Sequence, residues 1–79
     1  MAIFAAEIIG REVVDSHLER LGELKDVVFD TPTGSIVALR VEIERDLDAS
    51  KLPWNVVDGF VQIPVEDINR VAAKIHLKR

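Results

Sequence analysis

The sequence predicts an all-β fold, a small, strongly bent antiparallel sheet or closed barrel of five or six short strands with one short helical turn. Three observations carry this. Gly10, Gly22 and Gly34 recur at a spacing of twelve residues with β-rich runs between them, the turn rhythm of a meander. Leu39, Val41 and Ile43 alternate with Arg40, Glu42 and Glu44, a period of two that sets apolar side chains on one sheet face and charges on the other. Strand-like and helix-like stretches nowhere alternate as a parallel βαβ unit requires. Closure would remove the unpaired strand edges that a β-rich chain otherwise has to defend.

The elements follow in order. Leu18, Leu21 and Leu24 match a helical spacing, but Gly22 inside that pattern costs a helix about 1 kcal/mol relative to Ala, which favours a turn between two strands. The run from Glu23 to Asp30 is β-rich but mixed in phase, as in a strand that bends or is covered on both faces. Asp30-Thr-Pro-Thr-Gly34 is a hairpin turn, with Pro32 presetting φ and Gly34 able to take positive φ. The alternating strand follows, and then the polar stretch from Glu44 to Pro53, which breaks the alternation and reads as an excursion loop. Val56 to Ile63 is another strand, with Gly59 as a bulge or bend. Pro64 to Asn69 is the helical turn, with proline at its first position and acids where the helix dipole favours them. Val71, Ala73, Ile75 and Leu77 alternate with Ala72, Lys74, His76 and Lys78 in a closing strand.

The chain has 79 residues, which suits one domain, 1–79. Its apolar share of 48% is enough to fold it, yet a domain this short typically gains only about 3–5 kcal/mol from its core. There is no cysteine to staple it, so self-association is an expected source of further stability. The same absence excludes disulfides, thiolate nucleophiles and Cys-ligated zinc. A formal charge of −4 opposes a generic nucleic-acid or anionic-membrane binder. The apolar opening, Met1 to Ala6, lacks a basic flank and is cut by Glu7, too short for a signal sequence or a span of about 20 residues. A cytoplasmic protein without membrane insertion is expected.

No catalytic constellation stands out. Ser16, Ser35 and Ser50 have no nucleophile-elbow context, and the adjacent His17 would point to the opposite strand face from Ser16. His17 and Glu19 offer two metal ligands where zinc takes three or four, so a solvated turn is the better reading. The glycines form neither a dinucleotide fingerprint nor a phosphate loop. No catalytic residue, metal site or cofactor is therefore expected. Asp26, between apolar residues on a strand expected to be buried, is either an acid with a perturbed pKa or an acceptor of backbone hydrogen bonds at a bend, and the second is favoured. Arg70, Lys74, His76, Lys78 and Arg79 form a basic cluster, and Glu42, Glu44, Asp46 and Asp48 an acidic one. They are either solvated faces or complementary interaction surfaces. RNA binding by the basic stripe lacks the interleaved aromatic side chains that stack bases.

Three stretches, from Ile9 to Ser16, from Leu21 to Leu39 and from Ile63 to Ile68, together resemble the PRC-barrel domain, named for the photosynthetic reaction-centre H subunit. That family reads Gly-x-x-Val, then Gly-x-x-x-Asp, then Asp-x-x-x-Gly, then Ile-Pro-x-x-Asp-Ile/Val. Gly10, Val13, Gly22, Asp26, Asp30, Gly34, Ile63, Pro64, Asp67 and Ile68 fill those places. The chain departs from the pattern at His17-Leu-Glu-Arg20, where members often carry a glycine in the first hairpin turn.

The resemblance implies a six-stranded PRC-type barrel without a catalytic site, used as a docking module. Related domains occur in a bacterial ribosome-maturation factor, and stand-alone versions of this length are typical of archaea. Some of those act in cell division, pairing with themselves or a paralogue and associating with a SepF-like anchor of FtsZ. The expected function is thus a protein–protein interaction module at the division site, with an RNA- or ribosome-associated role as the alternative. The expected core is Leu24, Val28, Leu39, Val41, Ile43, Val61, Ile63, Ile68, Val71, Ile75 and Leu77. A homodimer or a heterodimer with a paralogue is expected, either through apolar residues that a small barrel leaves uncovered, Ile3, Phe4, Trp54 and Phe60, or through Lys74, His76 and Lys78 against Glu42 and Glu44. Apolar contact is the favoured version, because exposed ion pairs contribute only about 0–1 kcal/mol each.

Overall fold

The computed structural model describes residues 4–79, which form seven strands and little helix. A single turn of helix, α1 (Ala5–Ile8), comes first, pinned by the buried Ile8. The strands are β1 (Glu12–Val14), β2 (Arg20–Phe29), β3 (Ile36–Ile43), β4 (Asn55–Val57), β5 (Phe60–Pro64), β6 (Ile68–Val71) and β7 (Ile75–Leu77). Two 3-10 turns, Ala49–Lys51 and Val65–Asp67, precede β4 and β6.

The strands lie in one sheet in the order β4-β5-β3-β2-β1-β7-β6. All neighbours are antiparallel except β1 and β7, which run parallel with Val13 opposite Ile75. The sheet is therefore mixed and unclosed, with β4 and β6 at its edges, where a six-stranded antiparallel barrel was the expectation. Two stretches expected as single strands are each divided by a turn. Asp58 and Gly59, with φ of 53° and 84°, make a two-residue hairpin loop that splits the expected Val56–Ile63 strand into β4 and β5. The expected Val71–Leu77 strand folds back at Ala72, whose N–H donates to Lys74 O at 3.0 Å, giving β6 and β7.

Four register shifts, at Val13/Val14, Leu24/Asp26, Val28/Phe29 and Ile68/Arg70, bend the sheet around its apolar face. The core consists of Ile8, Val13, Leu21, Leu24, Leu39, Val41, Trp54, Val61, Ile63, Ile75 and Leu77. Ile43 and Ile68 pack partly buried against it, less enclosed than expected. Val28 is not a core residue, because the bulge at Leu24/Asp26 changes the phase of β2 and turns Val27, opposite Leu39, inward instead. Val71 is also a correction, since it lies on an edge strand and is exposed.

Two close details fix the first half of the chain. An ideal Cβ on Gly22 would stand 2.0 Å from the backbone oxygen of Glu42, so β2 and β3 approach here as no other residue permits. In the turn between β1 and β2, Leu18 takes a left-handed φ of 65°, held by its N–H donating to Asp15 O at 3.0 Å. Asp15 Oδ1 accepts from the N–H groups of His17 and Glu19 at 2.8 and 2.9 Å, so these two residues belong to the turn.

Candidate functional site

The β2–β3 hairpin continues past the rest of the sheet to its last pair, Phe29 opposite Ile36. Beneath it, the 3-10 turn after Pro64 starts β6 at Ile68, and α1 lies alongside. Between these elements opens a cleft of about 370 Å³ lined by Ala5, Ile8, Val27, Phe29, Ile36, Leu39, Val65, Ile68 and Val71, every one apolar. Leu39 and Ile8 form its floor as part of the core, whereas Phe29, Ile36, Val65 and Val71 are 41–52% exposed. Val71 was expected inside a closed barrel. The open edge at β6 is what leaves it, and the cleft, facing solvent.

The residues expected at an interface are not brought together. Ile3 lies outside the described residues. Phe4 stands next to Ala5 at the rim of the cleft and is 74% exposed. Trp54 is a correction: it is only 9% exposed, a core residue, and its indole N–H donates to Asp67 Oδ2 at 2.8 Å. The ring is covered because the excursion loop folds back over the open side of the core. Phe60 is half-buried, with the Arg40 guanidinium carbon 4.9 Å from its ring centre. Arg40 also lies 3.9 Å from both Asp26 Oδ2 and Asp58 Oδ2, and its buried Nε has no partner.

The charged strips are partly spent within the molecule. Lys74 Nζ lies 3.1 Å from Glu12 Oε2, Arg20 bridges Glu12 and Glu44, and Asp48 Oδ1 accepts from the Ser50 N–H and hydroxyl. The hydrogen bond from Lys74 holds the Glu12 carboxyl below its usual range, and the Ser50 hydroxyl does the same for Asp48. His76 is half-buried between Ile75 and Leu77, and Lys78 is exposed, its backbone N–H donating to Asp67 O at 2.8 Å. Asp26, expected to be buried, is exposed where β2 bulges, and it accepts the Val27 N–H at 2.8 Å as the structural reading required. Among the described residues no group of three or more His, Asp or Glu is placed to hold a metal ion, and no helix is long and apolar enough to cross a membrane.

Phe29, Ile36 and Val65 are the surface residues that sequence reasoning missed. A signal existed, in that apolar residues stand near both ends of the turn from Asp30 to Gly34, where a solvated hairpin tip would carry polar ones.

An open, bulged β-sheet with a 3-10 turn after Ile63-Pro64 and an apolar cleft at one end makes this a small domain of the bent β-sheet class. The match to the PRC-barrel domain spans residues 1–79, and the chain belongs to that family. Comparison with curated proteins gives no match.

Proposed function

We propose that the chain is a non-enzymatic protein–protein interaction module of the stand-alone archaeal type, an adaptor of cell division. In this reading it works in the cytoplasm at the division site, associates with itself or a paralogue, and docks on a SepF-like anchor of FtsZ. The observation that supports it is the wholly apolar cleft between α1, the β2–β3 hairpin and β6. Four exposed aliphatic and aromatic side chains grouped at one end of a small domain gain stability only by being covered. The ion pair of Lys74 with Glu12 weakens the case for the basic strip as an RNA site, since that charge already has a partner.

The test is affinity capture of the tagged full chain from its native host. Recovery of the FtsZ anchor is the expected result. Recovery of RNA that is lost as salt rises would overturn the reading in favour of a ribosome-associated role.

A further inference from the structure

We infer that the apolar cleft is occupied by Phe4 of a second copy of this chain, in a two-fold dimer in which each protomer fills the other's cleft. The inference rests on the reading of the chain as a binding module, and it names the occupant of that site.

The chain carries both halves of the contact on adjoining residues. Ala5 lines the cleft, and Phe4, immediately before it, is the most exposed large apolar side chain among the described residues. Phe4 is held in that position. Its backbone is extended, with φ −84° and ψ 142°, and its carbonyl accepts the Glu7 N–H at 3.0 Å at the start of α1. With projection and recess side by side, a two-fold axis beside α1 generates two identical contacts, the self-complementarity that a symmetric dimer needs.

Size agrees on both scales. An apolar cavity of about 150 Å³ accommodates a benzene ring. The cleft, at about 370 Å³, therefore takes a phenyl group together with neighbouring aliphatic groups. Taking whole aromatic side chains at about 200 Å² and aliphatic ones at somewhat less, Phe4, Phe29, Ile36, Val65 and Val71 together expose roughly 450 Å². A standard interface of about 800 Å² per partner, of which about 57% is apolar, contains the same amount. Charge agrees too. Each protomer carries −4, so two copies repel through most of their surfaces, and a face with no charged lining is where they approach at least cost.

The experiment is sedimentation or light scattering of the full chain across protein concentration, at low salt and at about 1 M salt. The expected result is a dimer that survives high salt. Phe4→Ala weakens it roughly 100-fold or more, because both anchors are lost at once, and leaves the circular-dichroism melt unchanged. Ile36→Glu, which places a carboxylate in the cleft, weakens it similarly. An equimolar mixture of the two variants associates more tightly than either alone, because one chain keeps its Phe4 and the other its cleft. A parent monomeric at every concentration, a dimer indifferent to Phe4→Ala, or a mixture no tighter than its components would overturn the inference. A monomeric parent that still captures the FtsZ anchor defeats the dimer and leaves the docking on the anchor standing. A Phe4-dependent dimer that captures no anchor does the reverse.

Discussion

The Trp54 indole N–H donates to Asp67 Oδ2 at 2.8 Å and so ties the loop ahead of β4 to the turn ahead of β6. Asp67 also accepts the Lys78 N–H through its backbone oxygen, and Arg79 Nη2 stands 3.7 Å from its Oδ1. Asp67, through its carboxylate and its backbone oxygen, thereby ties the loop before β4 and the C-terminal residues to its own turn. The aspartate in the family's Ile-Pro-x-x-Asp pattern has a structural reason here that needs no chemistry.

Trp54→Phe keeps most of the ring and deletes the donor. It should cost about 1.5–3 kcal/mol, the range for a hydrogen bond to a charged group. Urea unfolding followed by circular dichroism measures it. A loss below about 0.3 kcal/mol would show that the bond adds nothing beyond packing.

Gly22→Ala places a methyl group against the backbone oxygen of Glu42, and backbone cannot move aside as a side-chain end can. We expect a loss of about 3 kcal/mol or more, enough to leave much of a domain this small unfolded. Wild-type stability in this variant would mean that β2 and β3 do not approach as described.

Leu18→Gly should stabilise the protein. A left-handed φ costs a non-glycine residue about 1–2 kcal/mol, and the exposed Leu18 side chain recovers little of that by packing. After the added flexibility of the unfolded chain is subtracted, a gain of about 0.5–1 kcal/mol remains, or a rise in Tm of roughly 2–8 °C. An unchanged or lower Tm rules out strain at this turn.

Glu12 makes stability depend on acid. Its folded pKa is depressed, first by the Lys74 hydrogen bond and then by the charges of Lys74 and Arg20, with desolvation acting against them. The stabilisation is therefore fully present above the ordinary glutamate value and fades as pH falls through it towards the lowered one. Thermal melts of the parent and Glu12→Gln should differ most near neutral pH and converge as the pH falls past the ordinary glutamate value. A difference that stays constant with pH would exclude the linkage.

The β2–β3 hairpin was legible because its determinants are local: the Asp30-to-Gly34 turn residues and the strict alternation from Leu39 to Glu44. The Asp58-Gly59 doublet holds an equally local hairpin signal, but β4 has only three residues, too few to display a period, and a bulge is an equally good fit to the same letters. The inward turn of Val27 in place of Val28 follows from a bulge that leaves no mark in composition. Trp54 looked uncovered because it sits at the end of a polar loop, and its partner lies thirteen residues on. The cleft was the least legible feature. It is assembled from α1, a hairpin tip and an edge strand, and it exists because the sheet does not close. Neither fact can be read from any single window of sequence. The departure at His17-Leu-Glu-Arg20, by contrast, marked a real local difference, since Leu18 takes the backbone conformation that glycine would accept more easily.

The parallel pairing of β1 with β7 has a consequence for how the molecule comes into being. Arg11 Nη1 donates to Ala72 O across 61 residues, and Val13 faces Ile75 beside it, so strands from opposite ends of the sequence join the β6–β7 hairpin to the rest of the sheet. Such contacts come late, after a long loop has been closed at an entropic cost that nearer contacts do not share. On the ribosome, β2, β3 and β5 can form their ladder while one side of β1 still waits for residue 75 to emerge. During that interval the exposed flank of β1 is only three residues long, too short a template for a neighbouring nascent chain to pair with.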